Sequence, residues 1–171
     1  MHNIPIGDNF PETFNAIIEV PANCHNKYEY DEKFDVIKLD RVMYGSARHP
    51  FDYGFIPQTR SEDGDHLDVM IYGTTMFPGC LLAARPIALL NKIDDGDVDK
   101  MVLAVPVEDM HSHHIMSLDD LSPHVPKLIA DFFANYKALR GKIVTIVGWE
   151  DAAAAKAEIK RAYEVEARKA G

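Results

Sequence analysis

Thiols are scarce in this chain. Cys24 and Cys80 are its two cysteines among 171 residues. Two thiols cannot build a disulfide framework or a four-thiolate metal cage, so both are expected reduced, in the cytosol. Long apolar runs are missing too. The longest, Cys80 to Leu90, is broken by Arg85 and Pro86 and falls far short of the ~20 residues of a membrane span. The opening MHNIPIGDNF lacks the basic and apolar regions of a secretory signal. Basic charge is in deficit, with 18 Lys and Arg against 27 Asp and Glu, a net charge of −9. That balance excludes non-specific binding to nucleic acid or anionic lipid. Repeats, linkers and low-complexity tracts are absent. The expectation is a soluble, cytoplasmic, single-domain protein spanning 1–171, with no membrane and no nucleic-acid partner. At 47% hydrophobic residues it can bury a sizeable core.

What is present divides in two. The first two thirds carry short segments rich in Val, Ile, Tyr and Phe, separated by Gly, Pro, Asn and Asp, which is the pattern of strands. Strands are expected at Phe14 to Val20, Tyr53 to Arg60, Leu67 to Tyr72, Cys80 to Leu90 and Lys100 to Val105. A hairpin is expected from Lys27 to Asp31 and Asp35 to Asp40. Asp63-Gly64, Pro78-Gly79 and Asp94-Asp95-Gly96 read as turns. The last third changes period. Ser122-Pro123 opens a helix with an apolar stripe of Val125, Leu128, Ile129, Phe132, Phe133 and Tyr136, and Arg140-Gly141 closes it. Lys142 to Val147 reads as a strand. Asp151 caps a final Ala-rich helix to about Lys169, with Glu164 and Arg168 paired at i,i+4. The fold class is therefore α+β, on a small closed or partly closed barrel with two helices near the C-terminus.

The chemistry concentrates in Asp63-Gly64-Asp65-His66-Leu67-Asp68. Carboxylates this close repel one another unless something neutralises them. Asp68 runs straight into Val69-Met70-Ile71, which puts it at the edge of the core. A second group, Asp94, Asp95, Asp97 and Asp99, precedes another apolar strand. Oxygen donors of this kind suit Mg²⁺, Mn²⁺ or Ca²⁺. An EF-hand does not fit, and the lack of paired His or Cys disfavours a zinc site. Strict alternation would put Asp63 and Asp65 on one face and Asp68 on the other, so a shared site requires the chain to turn near Gly64. Lys27, Arg41, Tyr53, Tyr136 and Lys137 supply cations and hydroxyls beside aromatics. They become functional only if the fold brings them to the acids. His111, His113 and His114 read as an exposed loop, and Trp149 as a packing anchor.

Together these segments resemble the soluble family I inorganic pyrophosphatases in their short prokaryotic form. The resemblance rests on Ile18 to Asn23, Lys27-Tyr28-Glu29, Asp40-Arg41, Asp63 to Val69, Leu103 to Pro106, Phe132 through Lys137 and Gly148-Trp149-Glu150, in order along nearly the whole chain. It implies a distorted five-stranded OB-type barrel with flanking helices. It implies Mg²⁺-dependent hydrolysis of pyrophosphate to two phosphates, with several Mg²⁺ per site and Mn²⁺ or Zn²⁺ as substitutes, in a homohexamer. By position, Asp63, Asp68 and Asp99 would hold a first metal, Asp68 would bridge to a second, and Asp94 and Asp99 would serve a third. Asp65 would be the general base. Glu19 and Glu29 would line the site and orient water. Lys27, Arg41, Tyr53, Tyr136 and Lys137 would contact phosphate.

Three positions depart from the family pattern. His49 stands where tyrosine is common, and Asp95 where glutamate often follows the first acid. Met101 falls where a phosphate-binding lysine is expected, with Lys100 beside it. One residue along a strand reverses the face. Either a bulge re-aims Lys100 or a phosphate contact is missing. The rival readings are a two-metal phosphatase or phosphodiesterase, an OB-type oligonucleotide-binding module, and a Ca²⁺-binding structural domain.

Overall fold

The structure, a computed structural model, describes Met1 and residues 3–169. β1 (Phe14–Val20) pairs on one side with β4 (Asp52–Ile56) and on the other with β6 (Leu81–Asp94). β4 pairs with β5 (Leu67–Ile71), β5 with β7 (Asp97–Pro106), and β7 with β6. Five strands thus close a ring in the order β1-β4-β5-β7-β6-β1, antiparallel except between β5 and β7. This is the OB-type ring the sequence resemblance implies. Its distortion has visible sources, since register shifts fall at Ile18/Val20 on β1 and at Pro86/Ala88 on β6. β2 (Asn26–Asp31) and β3 (Val36–Val42) form a separate hairpin. β8 (Val144–Asp151) adds to β6 from Ala88 to Asp94. The ring closes tightly at Gly54. A Cβ there would lie 1.9 Å from the carbonyl oxygen of Ile17, so a side chain at this position would force β1 and β4 apart.

Alternation along the strands sorts the wall into two apolar clusters. One takes Phe14, Ile18, Ile56, Leu67, Val69, Val102 and Ala104, covered by Ala155, Ile159 and Ala162 of α2 (Ala152–Lys169). The other takes Tyr53, Met70, Leu90, Met101 and Leu103, covered by Ile129, Phe132 and Phe133 of α1 (His124–Asn135). Each large side chain buried this way contributes roughly 1.5–3 kcal/mol. Asp68 on β5 and Asp99 on β7 meet the second cluster at Tyr53. Among the described residues, no helix is long and apolar enough to cross a membrane.

Several boundaries differ from the sequence reading. β6 and β7 extend beyond the expected ends until Asp94 faces Asp97. The reversal is a two-residue turn, with Asp95 at φ 53° and Gly96 at φ 96°, the positive pair of a type I′ hairpin whose twist lets both strands run to its edge. β4 stops at Ile56, short of the expected Arg60. α1 ends at Asn135 rather than at Arg140. A separate 3₁₀ turn, Ala138–Arg140, follows it, closed by Gly141 at φ 72°. The tightening at Tyr136-Lys137 packs the tyrosine ring on Phe132 and Phe133 and turns Lys137 toward Asp94. Leu128 is exposed, outside the buried stripe. Asp151 does cap α2, accepting from the Ala154 N–H at 2.9 Å. Glu164 and Arg168 pair at 3.9 Å in solvent, where such a contact stabilises little.

Candidate active site

The turn anticipated at Gly64 exists, with φ 94°. The Asp65 N–H donates to Asp63 Oδ1 at 3.1 Å, and the Ser61 N–H to the Asp65 carbonyl at 2.8 Å. Arg60 clamps the turn to α2. Its Nε donates to Glu166 Oε2 at 2.8 Å and its Nη1 to the Gly64 carbonyl at 3.2 Å. Thr59 anchors the start of β5, its Oγ1 accepting from the Leu67 N–H at 2.9 Å. The reversal brings Asp65 and Asp68 to one cleft of about 250 Å³, lined also by Glu19, Lys27, Glu29 and Arg60. Asp65 remains solvent-facing. Partial desolvation raises its carboxyl above the usual range, and Asp63 and Glu29 add to the rise.

Deeper in the cleft the acids are costlier. Burial pushes Glu19 up to about 7 although Lys27 opposes the rise, and its Oε1 accepts from the Tyr30 N–H at 2.6 Å. Asp68 is pushed up to about 6, first by burial and then by Asp99, against the pull of Lys92 and Lys27. Two carboxylates that resist ionising together mark a site short of positive charge.

Cations and hydroxyls converge on the same acids. Burial alone would depress the Lys27 ammonium, but Glu19, Glu29 and Asp68 outweigh it and hold its pKa above the ordinary lysine value. Its Nζ lies 3.3 Å from Glu29 Oε1 and 4.9 Å from the centre of the Tyr53 ring. The buried Tyr53 hydroxyl donates to Asp68. Lys137 pairs with Asp94. Burial and then Asp94 raise the Tyr136 hydroxyl, while Arg41 opposes. Arg41 itself pairs with Asp40 on β3. The fold therefore gathers Glu19, Lys27, Glu29, Arg41, Tyr53, Asp65, Asp68, Asp94, Asp99, Tyr136 and Lys137 into one neighbourhood, and Asp63 adjoins it through Asp65.

Two sequence candidates lie apart from it. Asp95 sits at the exposed hairpin tip, paired with Lys142. Lys100 is not re-aimed, because the β6–β7 register runs without a shift from Ala88 to Asp94. It binds Glu158 on α2 at 2.8 Å. His49 is buried behind Tyr53, between that ring and Phe132, at 5.6 and 4.9 Å. The residues of the His111-Ser112-His113-His114 loop other than Ser112 are exposed. Trp149 packs against the second cluster, as an anchor should.

Sequence reasoning missed Lys92. It is 2% exposed, pairs with Asp99, and holds its Nζ 4.0 Å from Asp68 Oδ2. A signal was available in the alternation, since Leu90, Lys92 and Asp94 share a face, and Leu90 is core.

Among the described residues, no three carboxylate, imidazole or thiol groups already form a metal cage. Lysine ammonium groups stand among the acids instead. The donor set nevertheless fits a hard divalent cation. It is oxygen only, Glu19 and Asp68 are raised first by burial with neighbouring acids adding to the rise, and Asp94 Oδ1 is buried with no protein partner.

The family model for inorganic pyrophosphatase matches residues 16–166. The chain belongs to the inorganic pyrophosphatase family. It is 45% identical over 155 residues to the inorganic pyrophosphatase of Nostoc sp., covering 90% of this chain and 92% of that one. With the Synechocystis sp. inorganic pyrophosphatase it shares 47% identity over 138 residues, covering 80% and 82%. The crystal structure of inorganic pyrophosphatase from Thermus thermophilus superposes with a TM-score of 0.93 at 40% identity, covering 97% of this chain and 98% of that one. A family of enzymes that act on a small phosphate anhydride suits a cleft in which acids and ammonium groups alternate.

Proposed function

We propose that this chain hydrolyses inorganic pyrophosphate to two orthophosphates, with Mg²⁺ as the divalent cation and Mn²⁺ or Zn²⁺ as substitutes. One observation carries the reading. In a chain of this family, the acids Asp65, Asp68, Asp94 and Asp99 share a neighbourhood with the ammonium groups of Lys27 and Lys137 and the hydroxyls of Tyr53 and Tyr136. Asp63, Asp68, Asp94 and Asp99 would hold the metal. When bound, divalent cations acidify a coordinated water and offset phosphate charge.

The chain's own residues do the rest. Glu19 and Glu29 orient the attacking water. Asp65, solvent-facing and with a raised carboxyl pKa, takes its proton. The new oxygen–phosphorus bond forms in line as the bridging oxygen–phosphorus bond breaks, and the departing phosphate keeps that electron pair. Lys27, Arg41 and Lys137 neutralise the charge it carries. Tyr53 and Tyr136 add O–H donors without adding charge.

The test is phosphate release from pyrophosphate with and without Mg²⁺, set against a nucleoside triphosphate and p-nitrophenyl phosphate. Release confined to pyrophosphate and dependent on Mg²⁺ supports the proposal. No release from pyrophosphate, or equal release from all three, overturns it. We place the enzyme in the cytoplasm, where the free Cys24 and Cys80 suit a reducing compartment. We take it to be a homohexamer, with exposed Phe77, Met110 and Ile143 as apolar surface available between copies. Sedimentation velocity checks the assembly.

A further inference from the structure

We infer that Lys92 is a substrate-binding residue, supplying from β6 an ammonium group that holds a phosphate of the substrate. The inference rests on the pyrophosphatase reading above. Lys92 lies on a strand paired on both sides, facing Asp99 on β7 and Ile146 on β8, so its stem has a fixed origin. Its Nζ contacts Asp99, lies 4.0 Å from Asp68 Oδ2, and sits 5.0 Å from the centre of the Phe133 ring.

A purely structural residue here would be apolar. Leu90, two residues earlier on the same face, fills its place without charge. Burying an ammonium group carries a desolvation cost that only close anions offset. The anions that do so are the carboxylates a divalent cation would claim. Once Asp68 and Asp99 are committed to such cations, Lys92 is a buried cation that lacks its partners. A phosphate oxygen, at the distance of a charge-assisted hydrogen bond, restores the balance.

The neighbouring strand offers no alternative. Lys100 faces away, on Glu158. Met101 stands in register with Asp68, shares the face of Asp99, and is apolar and fully buried. Positions 92 and 101 are diagonal neighbours across the β6–β7 pair, because Lys92 faces Asp99 and Leu90 faces Met101. Diagonal neighbours are within reach of long side chains. A lysine at 101 could therefore deliver its ammonium to the same place.

The experiment measures calorimetric binding of inorganic phosphate to the Mg²⁺-loaded enzyme, together with KM and kcat on pyrophosphate. Lys92→Met should weaken phosphate binding and raise KM by about 10- to 100-fold, the scale of one hydrogen bond to a charged group, with a smaller change in kcat. Lys92→Met combined with Met101→Lys should bring both back to within about threefold of wild type, which a structural role for Lys92 would not produce. If Lys92→Met melts below the assay temperature, Lys92→Gln takes its place with the same expectations. Unchanged phosphate affinity without Lys92 overturns the inference. So does a loss that Met101→Lys leaves uncorrected. Failure of the underlying reading shows separately, as wild-type protein that releases no phosphate from pyrophosphate.

Discussion

Lys100 Nζ lies 2.8 Å from Oε2 of Glu158, so this lysine ties β7 to α2. Arg161 donates to the other oxygen of the same carboxylate at 2.8 Å through Nε. Lys100→Ala should therefore leave KM and kcat on pyrophosphate unchanged, while lowering stability by about 1–2 kcal/mol, because Glu158 is buried and keeps only one of its two cations. Burial raises Glu158, but Arg161 and Lys100 outweigh it and its pKa is lowered from 4.5. Its stabilising contribution is thus complete above pH 4.5 and fades as pH falls through the lower folded value. Chemical denaturation at pH 7 and pH 4 measures both effects. A changed KM would return Lys100 to the site.

His49 should make the fold acid-sensitive. It is 1% exposed, its Nδ1 has no partner, and burial, then Lys27, lower its pKa from 6.5 to about 3. The unfolded chain binds a proton from pH 6.5 downward, and the native state does not. Stability present above pH 6.5 is therefore lost as pH falls toward 3, by as much as ~4 kcal/mol. His49→Phe should flatten the slope of melting temperature against pH in that window. An unaltered slope would show that other groups set it.

Divalent cations should stabilise the protein. Burial, with added repulsion from neighbouring acids, raises Asp68 and Glu19 to about 6 and 7, and a bound cation offsets both by supplying close positive charge. At 100 times its dissociation constant, one bound Mg²⁺ adds ~2.7 kcal/mol, or roughly 5–10 °C in melting temperature for a chain of this size. A chelator should reverse the shift. Melting curves that are identical with and without Mg²⁺ would argue against a metal-loaded site.

Asp65→Asn should cut kcat by about 10²- to 10⁴-fold, the usual reach of a positioned proton acceptor. Mg²⁺-induced stabilisation should survive, because Asp68, Asp94 and Asp99 remain. Near-normal turnover in this variant would move the base elsewhere in the cleft.

Legibility in the sequence followed locality. Phe14–Val20 could be read to the residue, since its Val/Ile content is stopped by Pro21. The bend at Gly64 could be required in advance, because only a turn lets Asp65 and Asp68 share a cleft. The far ends of β6 and β7 could not, because Asp94-Asp95-Gly96 looks like loop until the two-residue turn is seen to pair Asp94 with Asp97. The end of α1 was obscured by a 3₁₀ turn that borrows a helix's stop signal at Gly141. Lys92 stayed hidden because a lysine on an apolar strand looks like a surface residue. Its burial depends on Asp99 across one pairing and on Asp68, which is brought near only by the parallel join of β5 and β7.

That parallel join has a consequence for how the enzyme comes into being. Parallel neighbours cannot be linked by a short turn. The chain between Asp68 and Asp99 must leave β5, travel the length of β6, and reverse at Asp95-Gly96. Such distant pairings form slowly, after closure entropy has been spent. The acid pair is therefore assembled only when most of the ring exists, and no local fragment can imitate it. Binding of a divalent cation would then serve as a gauge of complete folding, silent in every intermediate that has yet to bring β5 and β7 together.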